Sequence, residues 1–295
     1  MKPAPFEYQA PGSVDEALAL LQQHGSDAKL LAGGQSLIPA MNFRIVQPRV
    51  LIDLNGIDGL GYVADTGASG FRIGAMTREH ELESDPGIAV RLPLLAEAMP
   101  YIAHPQIRNR GTLGGSLVNA DPAAELPVMM VALNARLKVC GVSGARWVAA
   151  SDFFLGIFST DLAPDEMLVE IEVPWLPVST GWSFVEIAPR AGDYALMGVA
   201  ALLDLAENGL VSRARLVYLN AGDRPVDAVR SAASLIGQPP GEDVFAAAAE
   251  TASRQEMEPY GNLHASPDYQ RHLARVLTRR ALARAATRAK RGNGA

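Results

Sequence analysis

Apolar positions along this chain recur with two periods, and each period predicts an element type. Ser13-Val14-Asp15-Glu16 has the capping-box pattern, a hydroxyl followed three residues later by a glutamate. Ala17, Leu18, Leu20 and Leu21 then follow at helical spacing, and Gly25 marks the end of that helix. Short apolar runs at Phe6–Tyr8, Ala28–Ala32 and Val50–Leu54 read as strands around it, a β-α-β unit that makes a small first domain over residues 1–60. A mixed block over 61–176 follows. Its predicted strands are Phe71–Ala75, Ala135–Cys140, Arg146–Ala149 and Met167–Val173, the last ended by Pro174. Its predicted helices are Arg78–Leu82 with Thr77 as N-cap, Leu92–Met99 and Leu126–Leu133. Pro174 to Gly181 is rich in proline and small polar residues and reads as a domain boundary. A third domain over 177–288 then carries strands at Trp182–Ala188, Ala195–Ala206 and Val211–Leu219. Helices follow at Val226–Ile236, Val244–Ser253 and Pro267–Lys290, with residues 289–295 as a tail. The fold class is therefore α+β, with an antiparallel sheet in the C-terminal part.

Composition narrows the functional classes. At 295 residues, with 48% hydrophobic and 20% charged positions, the chain has the make-up of an ordinary globular protein with a sizeable core. A net charge of −6 gives no global attraction to nucleic acid or to an anionic membrane. No apolar run reaches the roughly 18 residues of a membrane span, and the N-terminal residues lack a signal-like apolar region, so the expected location is the cytoplasm. Cys140 is the lone cysteine; it forms no internal disulfide and builds no iron–sulfur cluster, so any metal redox centre belongs to another chain. Eight Lys/Arg residues lie between Arg271 and Arg291 with no acid among them. A solvated helix face is the first reading of that run, and a docking surface for a partner subunit the second.

The candidate chemistry sits in two glycine-rich stretches. One reads Ala32-Gly33-Gly34-Gln35-Ser36-Leu37; the other, within Ile107–Pro127, packs Gly111, Thr112, Gly114, Gly115 and Ser116 together, with Asp121 and Glu125 downstream. Glycine lets backbone approach a ligand closely, and successive amides in such turns form an anion-binding nest. Two such stretches suggest an extended diphosphate held from two sides. Neither stretch is a standard nucleotide fingerprint, and chemistry alone reaches only a phosphate-bearing cofactor.

The pair Ala32–Met41 and Ile107–Pro127 resembles the flavin-binding subunit of molybdenum-containing hydroxylases. That family includes the medium subunit of carbon monoxide dehydrogenase and the flavin domain of xanthine dehydrogenase. The resemblance runs from about Phe6 to about Ala285. It implies a two-part FAD-binding fold of the vanillyl-alcohol-oxidase/PCMH type followed by a C-terminal α+β domain, and non-covalent FAD held by residues 32–37 and 111–116. It further implies that Ile102 and Ala103 lie along the cofactor. The acidic position matching Glu125, usually aspartate, approaches the adenosine or ribityl hydroxyls. Leu168 is a ring contact. The tetrad Gly192-Asp193-Tyr194-Ala195 resembles a family signature that sets Tyr194 against the isoalloxazine ring, with Asp193 orienting the loop or touching the ring edge. A family position near Glu186 can hold lysine, so glutamate here reverses the charge near the pyrimidine end.

The implied role is electron relay. A molybdopterin-binding large subunit oxidises substrate, a small subunit carries two [2Fe–2S] clusters, and the FAD of this chain passes electrons to an external acceptor. The implied assembly is a heterotrimer, paired into a dimer of heterotrimers. A stand-alone FAD oxidase or reductase of the same superfamily is the rival, in which Tyr194 and Asp193 take part in catalysis directly. The histidines (His24, His80, His104, His264 and His272) show no metal-binding spacing, and His104 reads as a turn residue beside the flavin segment.

Overall fold

The computed structural model describes residues 2–67 and 69–292. The first unit holds β1 (Glu7–Gln9), α1 (Val14–His24), β2 (Ala28–Leu31), α2 (Leu37–Asn42) and β3 (Val50–Asp53). Its three strands pair in parallel in the order β1-β3-β2. Ser13 caps α1 by accepting from the Glu16 amide, while Glu16 in turn accepts from the Gly12 amide. The apolar stripe of α1 (Ala17, Leu18, Leu21) is buried on Val50 and Ile52. Met41 is 2% exposed, a core residue of α2.

The second unit begins with β4 (Val63–Asp65) and β5 (Gly70–Gly74). A helical run follows: α3 (Glu79–Ser84), α4 (Pro86–Arg91), α5 (Pro93–Ala98), α6 (Pro105–Arg108), α7 (Leu113–Asn119) and α8 (Glu125–Ala132). Then come β6 (Arg136–Gly141), β7 (Gly144–Ala149), α9 (Ala150–Phe153), β8 (Phe154–Gly156), β9 (Ser159–Thr160) and β10 (Glu166–Pro174). Five of these strands form an antiparallel sheet in the order β4-β5-β10-β6-β7. Met167 and Val169 of β10 belong to the core of the first unit, so one strand serves both.

In the third unit β11 (Gly181–Ile187), β12 (Met197–Leu205), β13 (Val211–Leu219) and β14 (Val226–Asp227) form an antiparallel sheet, followed by α10 (Val229–Leu235), α11 (Glu242–Thr251) and α12 (Pro267–Gly292). Phe184, Ala200, Leu202, Val217 and Leu219 of this sheet join the core of the second unit. Helix α8 lies at that junction with every residue buried, which explains why its sequence is apolar all round. Glu125, its first residue, is the one ionisable side chain it carries inward.

Several predicted elements shift. Arg78 rather than Thr77 caps α3; Thr77 is buried and its hydroxyl bonds both the amide and the carbonyl of Tyr62. Val226–Asp227 pair with β13 before α10 begins, so the predicted helix there is shorter. Helices α4 and α9 and the β8–β9 hairpin were not anticipated. The stretch around Gly114 is the first turn of a helix rather than a loop. Helix α12 runs on to Gly292, into the stretch taken as tail, and residues 293–295 lie outside the described residues.

The basic run on α12 is partly internal. Leu273, Ala274, Leu277, Ala281, Leu282 and Ala285 are buried against the third sheet. Arg288 bonds Glu97 and the Trp182 carbonyl and lies 4.8 Å over the Trp182 ring. Arg279 pairs with Glu242, and Arg275 lies 3.6 Å from Glu250. No described helix is long and apolar enough to cross a membrane.

Candidate functional site

The two glycine-rich stretches, more than seventy residues apart in sequence, touch through bare backbone. A Cβ built on Gly33 would lie 2.5 Å from the Arg110 carbonyl oxygen and 2.8 Å from Gly111 Cα. A Cβ on Gly114 would lie 2.6 Å from Ala75 Cβ. Glycine is therefore required at both positions for close approach. Polar side chains tie the same junction: Arg78 donates to the Arg110 carbonyl and to Asn55 Oδ1, and Asn55 Nδ2 donates to the Ala32 carbonyl at 3.0 Å. A cleft of about 350 Å³ opens beside it, lined by Leu31 to Gln35, Ile38, Asp53, Asn55 and Arg110.

The stretches contribute differently. Among the described residues, the amides of Gly33, Gly34, Gln35 and Ser36 have no acceptor within the chain, while Gly34 is left-handed at φ 74° and Gln35 Nε2 bonds the Gly33 carbonyl. Leu37 begins α2, and the Ser36 hydroxyl makes no capping bond to that helix. A turn of open amides beside Arg110 is an anion-binding concavity. The second stretch does not form the nest expected of it. The Gly111 amide bonds the Ile107 carbonyl, Leu113 bonds Thr77, Gly114 bonds Ala75 and Ser116 bonds Thr112. The Gly115 amide donates to Thr112 Oγ1, capping α7. What the second stretch offers a ligand is a bare wall and the half-buried Ser116, while Thr112, 1% exposed, serves as the cap of α7.

A second pair of predicted stretches meets at the other end. A Cβ on Gly192, which is left-handed at φ 82°, would lie 2.5 Å from His104 Cε1 and 2.8 Å from the Ala103 carbonyl. The loop carrying Asp193 and Tyr194 thus closes on Ile102-Ala103-His104. Ala103 is left-handed at φ 43°, a conformation that costs a non-glycine residue about 1–2 kcal/mol. The buried Arg108 guanidinium stabilises it, bonding the Ile102 carbonyl at 2.8 Å and the Glu83 carboxylate through two nitrogens at 2.8 and 2.9 Å. Tyr194 is 71% exposed, an aromatic face presented at the surface. Asp193 is exposed and its amide bonds the Arg190 carbonyl. Leu168 lies in the central core at the bulge of β10, 4% exposed.

Buried carboxyls form an electrostatically coupled group in which Glu125 acts on Glu79, Glu186 and Tyr194. Burial pushes Glu125 up to about 7, with Asp121 adding to the rise against a backbone hydrogen bond. Burial, with Glu125 next, raises Glu186 to about 9, and its Oε2 has no partner. Burial and the charge of Glu125 outweigh Arg108 at Glu79, which rises to about 8 and also has an unpartnered Oε2. Although the Tyr194 ring is exposed, desolvation at its hydroxyl end, then the charges of Asp121 and Glu125, raises that hydroxyl and ties it electrostatically to the same group. Glu79 and Glu186, which keep their protons at pH 7, together with the open amides suit an anionic, hydroxyl-bearing ligand better than an array of carboxylates would.

Sequence reasoning missed Glu79, Arg108, Arg110 and the Arg78–Asn55 tie. Arg108 and Arg110 lie inside the quoted motif, but their partners are set only by the fold. Among the described residues, no group of three His, Cys, Asp or Glu side chains is arranged to hold a metal.

Comparison with known proteins identifies the family. Residues 4–176 match the FAD binding domain in molybdopterin dehydrogenase, and residues 182–285 match the CO dehydrogenase flavoprotein C-terminal domain. The chain is 41% identical over 290 residues to the 6-hydroxypseudooxynicotine dehydrogenase complex subunit alpha of Paenarthrobacter nicotinovorans, covering 98% of this chain and 97% of that one. It is 41% identical over 282 residues to the carbon monoxide dehydrogenase medium chain of Hydrogenophaga pseudoflava, covering 96% of this chain and 97% of the relative. A solved carbon monoxide dehydrogenase from Hydrogenophaga pseudoflava, lacking the Mo-pyranopterin moiety of its cofactor, superposes with a TM-score of 0.94 at 42% identity, covering 98% of this chain and 99% of that one. With its open-amide turn, its bare glycine wall and matches to both domains, this chain belongs to the FAD-binding medium subunits of the molybdenum hydroxylases, the oxidoreductase family of the carbon monoxide dehydrogenase medium chain.

Proposed function

We propose that this chain is the electron-relay subunit of such a complex. It holds FAD non-covalently, accepts electrons from [2Fe–2S] clusters of a small partner subunit and passes them to an external acceptor. A large partner subunit carries the molybdenum cofactor and oxidises the substrate, and the assembly is a dimer of heterotrimers. The observation that carries the reading is the turn of open amides at Gly33–Ser36, seated against Arg110-Gly111 with no room for a side chain.

The residues divide the work along the groove. The amides of Gly33, Gly34, Gln35 and Ser36 hold the diphosphate, with the Ser36 and Ser116 hydroxyls adding donors. Ala32, Leu37, Gly111, Gly114 and Gly115 form the walls. Glu125 takes the polyol hydroxyls. Ile102, Ala103, Leu168 and Glu186 flank the ring, and Tyr194, on the loop that Asp193 helps to shape, covers it from solvent. FAD supplies the ability to take electrons singly and release them as a pair. The protein positions it and, through neutral carboxyls, keeps the groove free of opposing charge. Residues 1–60 and 61–176 are the two parts of the cofactor-binding fold, and 177–288 the domain that brings the covering loop.

The relatives' names support leaving substrate choice to another subunit: one is named for 6-hydroxypseudooxynicotine and another for carbon monoxide, at equal identity to this chain. The test is to affinity-purify the chain from its own host. Flavin absorbance with a molybdenum subunit and a cluster-bearing subunit supports the reading. A lone chain carrying FAD and turning over a substrate replaces it with the stand-alone flavoenzyme.

A further inference from the structure

Glu79 has no role in the assignment above, yet like Glu186 it carries a buried carboxyl oxygen that has no partner. It is the first residue of α3, and its amide bonds the Gly111 carbonyl at 3.0 Å. Its carboxyl lies flat on the glycine motif: a Cβ built on Gly111 would sit 2.6 Å from Glu79 Cδ. The side chain is 5% exposed, and Oε2 has no hydrogen-bond partner. A buried oxygen without a partner costs about 1–3 kcal/mol and asks for an explanation.

Its surroundings do not supply one. Arg108 is the nearby cation, but its guanidinium is held by Glu83 and by the carbonyls of Ile102 and Ala103. Glu125, on α8, faces Glu79 as a like charge, and behind Glu125 stand Asp121, Glu186 and Tyr194. On the Glu79 helix itself, Glu81 caps the Arg78 amide, and the Arg78 side chain turns away to Asn55 and the Arg110 carbonyl. The carboxyl therefore has a single low-charge option, to keep its proton. A neutral carboxylic acid has an O–H to donate.

We propose that Glu79 is a further binding residue of the flavin nucleotide, one that would donate its carboxylic O–H to an oxygen of bound FAD at the Gly111 wall. This rests on the FAD reading and deepens it. A neutral donor suits the position, because an ionised carboxylate beside the diphosphate would repel it. FAD affinity is then linked to the proton on Glu79: it holds through neutral pH and falls as that proton is lost above about 8.

The experiment measures FAD dissociation by flavin fluorescence between pH 6 and 9.5, on the full chain in its purified assembly after FAD is stripped. Three forms are compared: the natural protein, Glu79→Gln and Glu79→Leu. Glutamine keeps a donor and has no proton to lose, so it should bind within about threefold of the natural protein at pH 7 and lose much of the alkaline weakening. Leucine keeps the bulk without the donor and should bind about tenfold more weakly at pH 7. Equal affinity of the natural protein and Glu79→Leu, with the same pH profile, overturns the proposal, even if leucine lowers the melting temperature. Should Glu79→Leu fail to fold, the profile of Glu79→Gln decides alone: an alkaline fall identical to the natural protein's overturns it. Failure of the natural protein to rebind FAD at any pH strikes the FAD reading instead.

Discussion

Replacing Gly33 by alanine adds one methyl where the two cofactor-binding stretches meet. The new Cβ would lie 2.5 Å from the Arg110 carbonyl oxygen and 2.8 Å from Gly111 Cα, where ordinary contact begins near 3.4 Å. Both obstacles are backbone, so no side chain can rotate away, and the strands of chain must part by about 0.9 Å at the tighter contact. Overpacking of this kind costs about 1–3 kcal/mol. Part of that appears as lost stability and part as displacement of the open amides at Gly33–Ser36 from the groove. If all of it falls on the bound state, FAD affinity drops between about 5- and 150-fold. The assay is the flavin-to-protein ratio of the purified assembly together with its thermal unfolding midpoint. Gly12→Ala is the control, because Gly12 is exposed and its nearest added contact is Glu16 Oε2 at 3.7 Å. A Gly33→Ala protein matching that control in both flavin content and midpoint would refute the claim that this junction builds the site.

The buried carboxyls make stability pH-dependent: folded Glu125, Glu79 and Glu186 hold protons up to about 7, 8 and 9, where the unfolded chain releases them near 4.5. The folded state then holds more protons than the unfolded state, so stability from this source is full below pH 4.5, is lost progressively as pH rises above it, and is gone once pH has passed through 7 to 9. The FAD-free protein should therefore unfold at a clearly lower urea concentration at pH 8.5 than at pH 5.5, and equal or greater stability at pH 8.5 would contradict this. Arg108→Leu strands the Glu83 carboxylate and frees the left-handed Ala103, so it should lower unfolding free energy by about 2–3 kcal/mol; an unchanged urea midpoint would show that the pair is dispensable. Tyr194 is 71% exposed, so Tyr194→Ala should leave unfolding free energy within about 0.5 kcal/mol while making bound flavin more accessible to iodide quenching. Unchanged quenching would show that Tyr194 does not cover the ring.

What was legible in the chain was local. The capping box at Ser13–Glu16, the apolar stripe after it and the alternating strands announced their elements through spacing alone. The glycine stretches and the loop at Gly192 were visible as composition, and the fold brings them together in two pairs. What was not legible depends on contacts between distant residues. Nothing near Arg108 in sequence points to Glu83 25 positions away, and Arg78 meets Asn55 23 positions away. Glu79 sits in Arg78-Glu79-His80-Glu81-Leu82-Glu83, which reads as a solvated helix face. Its burial could be suspected only from the i,i+3 spacing to the buried Leu82. The nest expected at Gly111–Ser116 failed for a related reason: whether an amide is open depends on which carbonyl the fold sets opposite it, and there Ile107, Thr77 and Ala75 occupy the place of a ligand.

The central claim is that this chain carries FAD inside a molybdenum hydroxylase as its electron relay. Native mass spectrometry of the affinity-purified assembly from its own host tests it most directly. The account predicts this chain with FAD in equal number, bound to a molybdopterin-bearing subunit and a cluster-bearing subunit. A chain recovered alone, or in a complex without flavin, would contradict it.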